Sequence, residues 1–404
     1  MRILYVCCEP PDAPSTGSII QPYHFLRLLR GHHTMGVFAL ASPSETERLD
    51  RLRALCDWVA TEPPIPRRPI RNRARWMLSD DPMARWGFPS PQIAGSIDRA
   101  IADFKPDIVQ FEQLHVAHPL LQLARSQHRP RLIFNAHDAL HVMLDRSLIG
   151  DSTRGVGRFL NRLFVKRVRD LEYKIATAAD AVLCVSQIDA RVLRLPELAK
   201  KFYVTPNGVD TEFYQPLPAK PASSPPTLVF VGHLGYGPNT DAIQLYAEKI
   251  HPILRAAKPD LRLIAVGPVP QELERHRGMP GIEFSGFVRD IRPYFEQADV
   301  SIVPLRSGSG TRFKIVESWA MGRAVVSTTI GAEGLPFVDG QNILIADDPE
   351  AFAAATLRTL DDPGLAVRLA ESGRELVERE FSWRRIVSDL RGYYEQLAPA
   401  AFRE

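Results

Sequence analysis

The chain has 404 residues, 45% of them hydrophobic and 24% charged, with a net charge of +3. That is the composition of a folded protein of two or three domains and excludes a disordered tail protein. The charge is too small to mark a nucleic-acid binder, no run approaches the roughly 18 apolar residues of a membrane-spanning helix, and Cys7, Cys8, Cys56 and Cys184 fit no metal spacing and are expected as thiols in a reducing cytosol.

In chain order, Met1–Cys8 has too short an apolar run for a signal peptide and reads as a first strand. Further strands are expected at Met35–Leu40, Ile108–Phe111, Leu132–Asn135 and Ala181–Val185. Amphipathic helices Tyr23–Leu29, Ile93–Phe104 and Leu160–Thr177 lie among them. The second half alternates again. Strands Leu228–Val231, Leu261–Val266, Ile282–Phe284, Val300–Val303 and Ala324–Ser327 are spaced by helices Ala242–Ala256, Ile291–Gln297, Phe313–Ala320 and Ala351–Leu360. Such alternation predicts βαβ units, hence an α/β protein with parallel sheets covered on both faces. The proline-rich stretch 216–226 has no periodicity and reads as a linker. It divides an N-terminal domain (1–215) from a second domain (227–380), with a C-terminal helix in 381–404. The first 215 residues hold 29 Lys/Arg against 23 Asp/Glu, so the basic surplus lies there. Two clusters supply it, Arg67–Arg75 and Arg154–Arg169. The latter sets Arg154, Arg158, Arg162 and Lys166 four apart on one helix face, with Phe159, Leu160, Leu163, Phe164 and Val168 on another. A basic amphipathic helix suits an anionic membrane surface, and equally a surface helix packed on its own core.

Ligands of open parallel sheets bind where strands run out into loops at their carboxyl ends. The first such loop, Glu9–Ser18, lacks G-x-G-x-x-G; its small residues around Gly17 let backbone N–H groups approach a ligand. The second, Gly232–Asn239, is glycine-rich and contains His233. The third is the most informative: Ser307–Thr311, including Ser309, Gly310 and Thr311, opens a helix whose first turn carries Arg312 and Lys314. Cations there oppose the helix dipole by roughly 0.3–1 kcal/mol each, a cost that makes sense if a polyanion binds. A diphosphate would be met by amides, dipole and both cations. Glu317, about a turn on, suits a vicinal diol such as a ribose.

These residues resemble the nucleotide-sugar loop of family 4 retaining glycosyltransferases, which have the GT-B fold. The fragments PNGVDTEFY (206–214), FVGHLGYGPNTDA (230–242), FSGFVRDIRPYFEQADVSIVPL (284–305), SGTRFKIVESWAMGRAVVST (309–328) and GAEGL (331–335) carry the resemblance. It implies two Rossmann-like doubly wound domains facing an interdomain cleft, with the last helix, Arg384–Leu397, crossing back to the N-terminal domain. It implies that Glu317 binds the ribose and that Phe287 and Val288, after Gly286, hold the base. Ser309 stands where many members have a sugar-contacting glutamate. His233 and Asn239 stand where many have Arg and Lys on the diphosphate, so Arg312 and Lys314 are the candidates to supply that charge. In Asn135-Ala-His137-Asp138 the histidine resembles one that lies near sugar and acceptor; Gln110, Glu112, His115 and Asp138 are candidate acceptor contacts. The implied reaction is retaining transfer from a nucleoside diphosphate sugar to a glycan or lipid-linked acceptor. No metal or other cofactor is expected, since no convincing Asp-x-Asp ends a strand, and Arg312, Lys314 and helix amides replace it. Envelope polysaccharide or glycolipid synthesis in the cytoplasm, peripheral at the inner face of a membrane, is the expected setting. A sugar-nucleotide epimerase or phosphorylase on the same fold and a non-catalytic partner subunit stay open; a dehydrogenase is disfavoured by the missing glycine fingerprint.

Overall fold

The computed structural model describes residues 1–12, 17–64, 82–83, 90–149, 156–193, 196–218, 220, 224–308 and 312–399. The chain forms two compact units, Met1–Pro206 with Ile386–Glu404, and Asn207–Arg385.

In the first unit seven strands form one parallel sheet: β1 (Arg2–Cys7), β2 (Thr34–Leu40), β3 (Trp58–Glu62), β4 (Ile108–Glu112), β5 (Arg131–Ala136), β6 (Ala181–Cys184) and β7 (Phe202–Val204), in the order β3-β2-β1-β4-β5-β6-β7. The second unit has β8 (Thr227–Val231), β9 (Arg262–Val266), β10 (Ile282–Gly286), β11 (Val300–Val303), β12 (Ala324–Ser327) and β13 (Leu344–Ile345), in the order β10-β9-β8-β11-β12-β13. Both are doubly wound. The strand order reverses between β1 and β4 and between β8 and β11, and the carboxyl ends of these four strands are where such sheets bind ligands. Central strands are buried on both faces; Ile3 to Val6 and Ile108 to Phe111 have essentially no exposed surface.

The helix from Trp383 to Leu397 belongs to the first unit from Ile386 onward. There Tyr393 stacks on Tyr203 at 4.3 Å and Tyr394 is fully buried. Of the stretch expected as a linker, the described residues 216–218, 220 and 224–226 fall within the second unit, whose boundary lies ahead of them at Asn207. Proline-rich backbone has carbonyls but few donors, and side chains supply what is missing. Arg323 donates to the carbonyls of Leu217 (3.1 Å) and Pro218 (3.0 Å), and Lys220 pairs with Asp299 at 2.5 Å.

The basic helix runs from Val156 to Ala178. Val168, Leu171 and Ile175 are buried, whereas Arg158, Arg162, Lys166 and Arg169 are exposed. Phe159, expected on the packed stripe, is instead 66% exposed among the arginines. Arg154 and the Arg67–Arg75 cluster lie outside the described residues. Among the described residues no helix is long and apolar enough to cross a membrane.

Candidate functional site

The helix Phe313–Ala320 is oriented by its apolar side. Ile315, Val316, Trp319 and Ala320 are buried, and the Trp319 indole donates to the Asn342 carbonyl at 2.8 Å. Burying Ile315 and Val316 contributes on the order of 1.5–3 kcal/mol each. That orientation puts residues 314 and 317, three apart, on a common side away from the core. Arg312 caps the helix in extended conformation. It is only 8% exposed and donates to the Ile330 carbonyl at 3.3 Å. Its guanidinium also packs on Gly308: at φ +125°, a Cβ there would stand 3.0 Å from both terminal nitrogens.

Lys314 reaches across to the loop after β8. Its ammonium donates to Asn239 Oδ1 at 2.6 Å and sits 4.1 Å from the centre of the Phe230 ring. Asn239 in turn donates to the His233 carbonyl at 2.9 Å. Gly232 lies against this pair, because a Cβ would come within 2.8 Å of Asn239 Nδ2 and 3.2 Å of Lys314 Nζ. Burial, with the nearby charge of Arg312, pushes the Lys314 ammonium down to about 7, and Glu317 only partly restores it. Burial pushes the Glu317 carboxyl up to about 7, with Lys314 pulling the other way. The site therefore holds a cation it would more easily hold against an anion, and a carboxyl poised to accept hydrogen bonds.

At the end of β10, Phe287 is 66% exposed, while Val288 is half-buried against the cluster containing Phe295 and Met321. His233 is exposed. Gly17 opens helix Gly17–Leu29 in the first unit. Ser309, Gly310 and Thr311 lie outside the described residues. Sequence reasoning missed Phe230 beneath Lys314, since a phenylalanine in a strand reads only as core. It also missed Tyr214, whose phenol is raised by burial and then by the charge of Glu317.

The first unit gathers a second cluster at its own point of strand reversal. Glu112, 2% exposed at the end of β4, accepts from Gln110 Nε2 at 2.6 Å, Asn135 Nδ2 at 2.9 Å and His137 Nε2 at 2.6 Å. Gln113, next in the chain, takes φ +72°, an arrangement that costs an ordinary residue about 1–3 kcal/mol. Its N–H donates to the Asn135 carbonyl at 3.0 Å, which ties the turn to β5. His115 is pushed down to about 4 by burial and then by His137, so it is neutral at physiological pH. Asp138 is half-buried one residue beyond His137. Further along, Glu172 accepts from the Leu140 N–H at 2.8 Å and from His141 Nδ1 at 2.5 Å, which fixes the start of helix Leu140–Ile149.

Comparison with known proteins follows this division. Residues 23–213 match the model described as Glycosyltransferase Family 4, and residues 225–362 match Glycosyl transferases group 1. A glycogen synthase of Mycobacterium tuberculosis is 25% identical over 301 residues, which span 70% of this chain and 67% of that enzyme. The solved sucrose-phosphate synthase of Thermosynechococcus elongatus aligns with a TM-score of 0.71 at 18% identity, covering 99% of this chain and 100% of that one. Anabaena Alr3699/HepE, solved in complex with UDP and glucose, aligns with a TM-score of 0.67 at 15% identity, over 97% and 99% of the two chains.

The shifted lysine makes the site testable without a substrate. Between pH about 7 and the ordinary lysine value of 10.5, the unfolded chain keeps a proton that the folded one has released, so stability rises with pH in that window. Below it, both states are charged and the full cost of enclosing the ammonium applies. Lys314→Met is expected to raise the Tm of the protein by about 2–4 °C per kcal/mol relieved. Calorimetry should find the gain larger below pH 7 than near the lysine value, and an equal gain at both would contradict an enclosed cation.

Proposed function

We infer that this chain, which belongs to the family 4 glycosyltransferases of GT-B fold, transfers a sugar from a nucleoside diphosphate sugar to an acceptor hydroxyl, with retention at the anomeric carbon and without a metal ion. The observation that carries the donor reading is the 2.6 Å contact of Lys314 with Asn239, which holds an ammonium over the loop leaving β8. The UDP named in the HepE complex supports the same class of ligand.

In this reading the diphosphate docks at the head of helix Phe313–Ala320 against Lys314, Arg312 and free helix amides. The backbone of Gly232 and its neighbours His233 and Asn239 line the approach. Glu317 accepts from the ribose hydroxyls, and Phe287 and Val288 meet the base. The bond from anomeric carbon to phosphate oxygen breaks, and the nucleoside diphosphate leaves with the electron pair. Its developing charge is stabilised by cations already in place. The acceptor oxygen then bonds the anomeric carbon, and its proton passes to the departing phosphate. His137, held by Glu112, faces sugar and acceptor in this reading, with His115 and Asp138 as further acceptor contacts.

Arg312→Ala and Lys314→Ala are each expected to weaken UDP, GDP or ADP binding about 10- to 100-fold, the loss of one charged hydrogen bond, and to leave nucleoside binding nearly unchanged. Calorimetry that finds equal losses for diphosphate and nucleoside overturns the assignment. Transfer assayed with excess EDTA is expected to keep its full rate; abolition would return a metal to the site.

For the acceptor, an envelope polysaccharide or lipid-linked glycan is supported by the exposed basic face of helix Val156–Ala178, on which Phe159 is also exposed. Such a face binds anionic lipid through charge and one inserted ring, placing the protein at the inner surface of a membrane. Flotation with phosphatidylglycerol vesicles should recover the protein at low salt, with loss at high salt and in Phe159→Ala/Arg162→Glu; failure to float at low salt rejects membrane contact.

A further inference from the structure

We propose that Tyr394, on the C-terminal helix, is a positioning residue that fixes the orientation of Glu112 and, through it, the tautomer of His137. The link is a chain of buried hydrogen bonds within the first unit. Tyr394 OH donates to Gln110 Oε1 at 2.5 Å, Gln110 Nε2 donates to Glu112 Oε1 at 2.6 Å, and Glu112 Oε2 accepts from His137 Nε2 at 2.6 Å. Tyr5 OH lies 3.0 Å from Tyr394 OH, and because Tyr394 has spent its proton on Gln110, Tyr5 is the donor in that contact. Tyr5, Tyr394 and Gln110 have no exposed surface, and Glu112 has 2%.

The direction of the chain is what matters. A primary amide has one accepting and one donating end. The Glu112 carboxylate can only accept, so the NH2 group of Gln110 must face it, which leaves the amide oxygen to be held by the Tyr394 hydroxyl as donor. Asn135 is fixed in the same sense, donating to Glu112 Oε2 at 2.9 Å and to Gln21 Oε1 at 2.8 Å. Three nitrogens thus converge on one carboxylate, and a carboxylate can only accept. His137 must present Nε2–H to it, which leaves Nδ1 as the accepting nitrogen. Without the tyrosine hydroxyl the Gln110 oxygen loses its donor, the side chain is free to leave Glu112, and the carboxylate is held against His137 by one neighbour fewer. In water such a bond is worth little; enclosed here, each member constrains the next.

The mechanistic part of this inference rests on reading His137 as a residue of the transfer site; the tautomer does not. The test is Tyr394→Phe, which removes one oxygen and keeps the ring. Imidazole 15N NMR, with the His137 signal assigned by its loss in His137→Gln, should show Nε2–H in the parent at a pH where the ring is neutral, and a mixture of tautomers in the variant. The kcat for transfer should fall about five- to tenfold, the loss of one neutral hydrogen bond, with the donor KM unchanged. Tyr393→Leu, which loosens the same helix at its stack on Tyr203, should lower the Tm and leave the His137 signal alone. If Tyr394→Phe does not fold, Gln110→Met cuts the chain at its next member and is read the same way. An unchanged tautomer in the folded variant, or the same change in Tyr393→Leu, overturns the proposal. A changed tautomer with unchanged kcat supports the chain of bonds and removes His137 from the reaction.

Discussion

An ammonium enclosed at the head of a helix is the constraint that organises the second unit. Three effects oppose Lys314 there: lost hydration, the positive end of the helix, and Arg312 two residues away. What holds it is local and specific, namely the Asn239 oxygen, the face of Phe230 and the partial help of Glu317. The packing of Ile315, Val316 and Trp319 supplies the stability that this arrangement gives up. On the proposed reading, an anion docked there would turn these costs into binding energy.

The first unit solves the converse problem at the corresponding place. Its strands reverse order at β1 and β4, as those of the second unit do at β8 and β11. There the buried group is a carboxylate, Glu112, compensated by three side-chain donors in place of acceptors. Glu112 is tolerated because three donors meet it, whereas Lys314 has one acceptor and a ring face. One of its neighbours is informative. Asn135 spends its NH2 on Glu112 and Gln21, and its own Oδ1 finds no partner among the described residues. The amide cannot turn to satisfy that oxygen without presenting it to a carboxylate. The cost, about 1–3 kcal/mol, falls on Asn135 so that Glu112 stays paired.

How much of this could be read in the sequence follows from where each signal resides. Central strands announce themselves, because burial on both faces demands continuous apolar runs such as Ile3 to Val6 and Val300 to Val303. The three strands that went unread, β3, β7 and β13, all lie at sheet edges, where part of each strand meets solvent and the run is broken or short. Arg312 and Lys314 drew notice because cations at a helix N-terminus oppose its dipole; that both are enclosed, against Gly308 and Asn239, no spacing could tell. The proline-rich stretch reads as a linker because proline removes a donor, while the partner of its Leu217 and Pro218 carbonyls, Arg323, stands more than a hundred residues away where no local signal points to it.

The Glu112 cluster was visible only in part. Glu112, His115 and His137 attract notice as polar residues where apolar strands end. Gln110 was noticed beside them, but nothing in its own neighbourhood tells what holds its amide oxygen. That is Tyr394, 284 positions later, on a helix whose sequence reads as ordinary amphipathic packing. A buried tyrosine on such a helix is indistinguishable from core until its hydroxyl is located. Long-range polar contacts leave no period and no local composition, yet here one of them anchors the chain of hydrogen bonds leading to His137. The tail helix thus carries chemical information into the sheet as well as covering it. Replacing Tyr394 by a residue of equal volume is therefore a change of function before it is a change of packing.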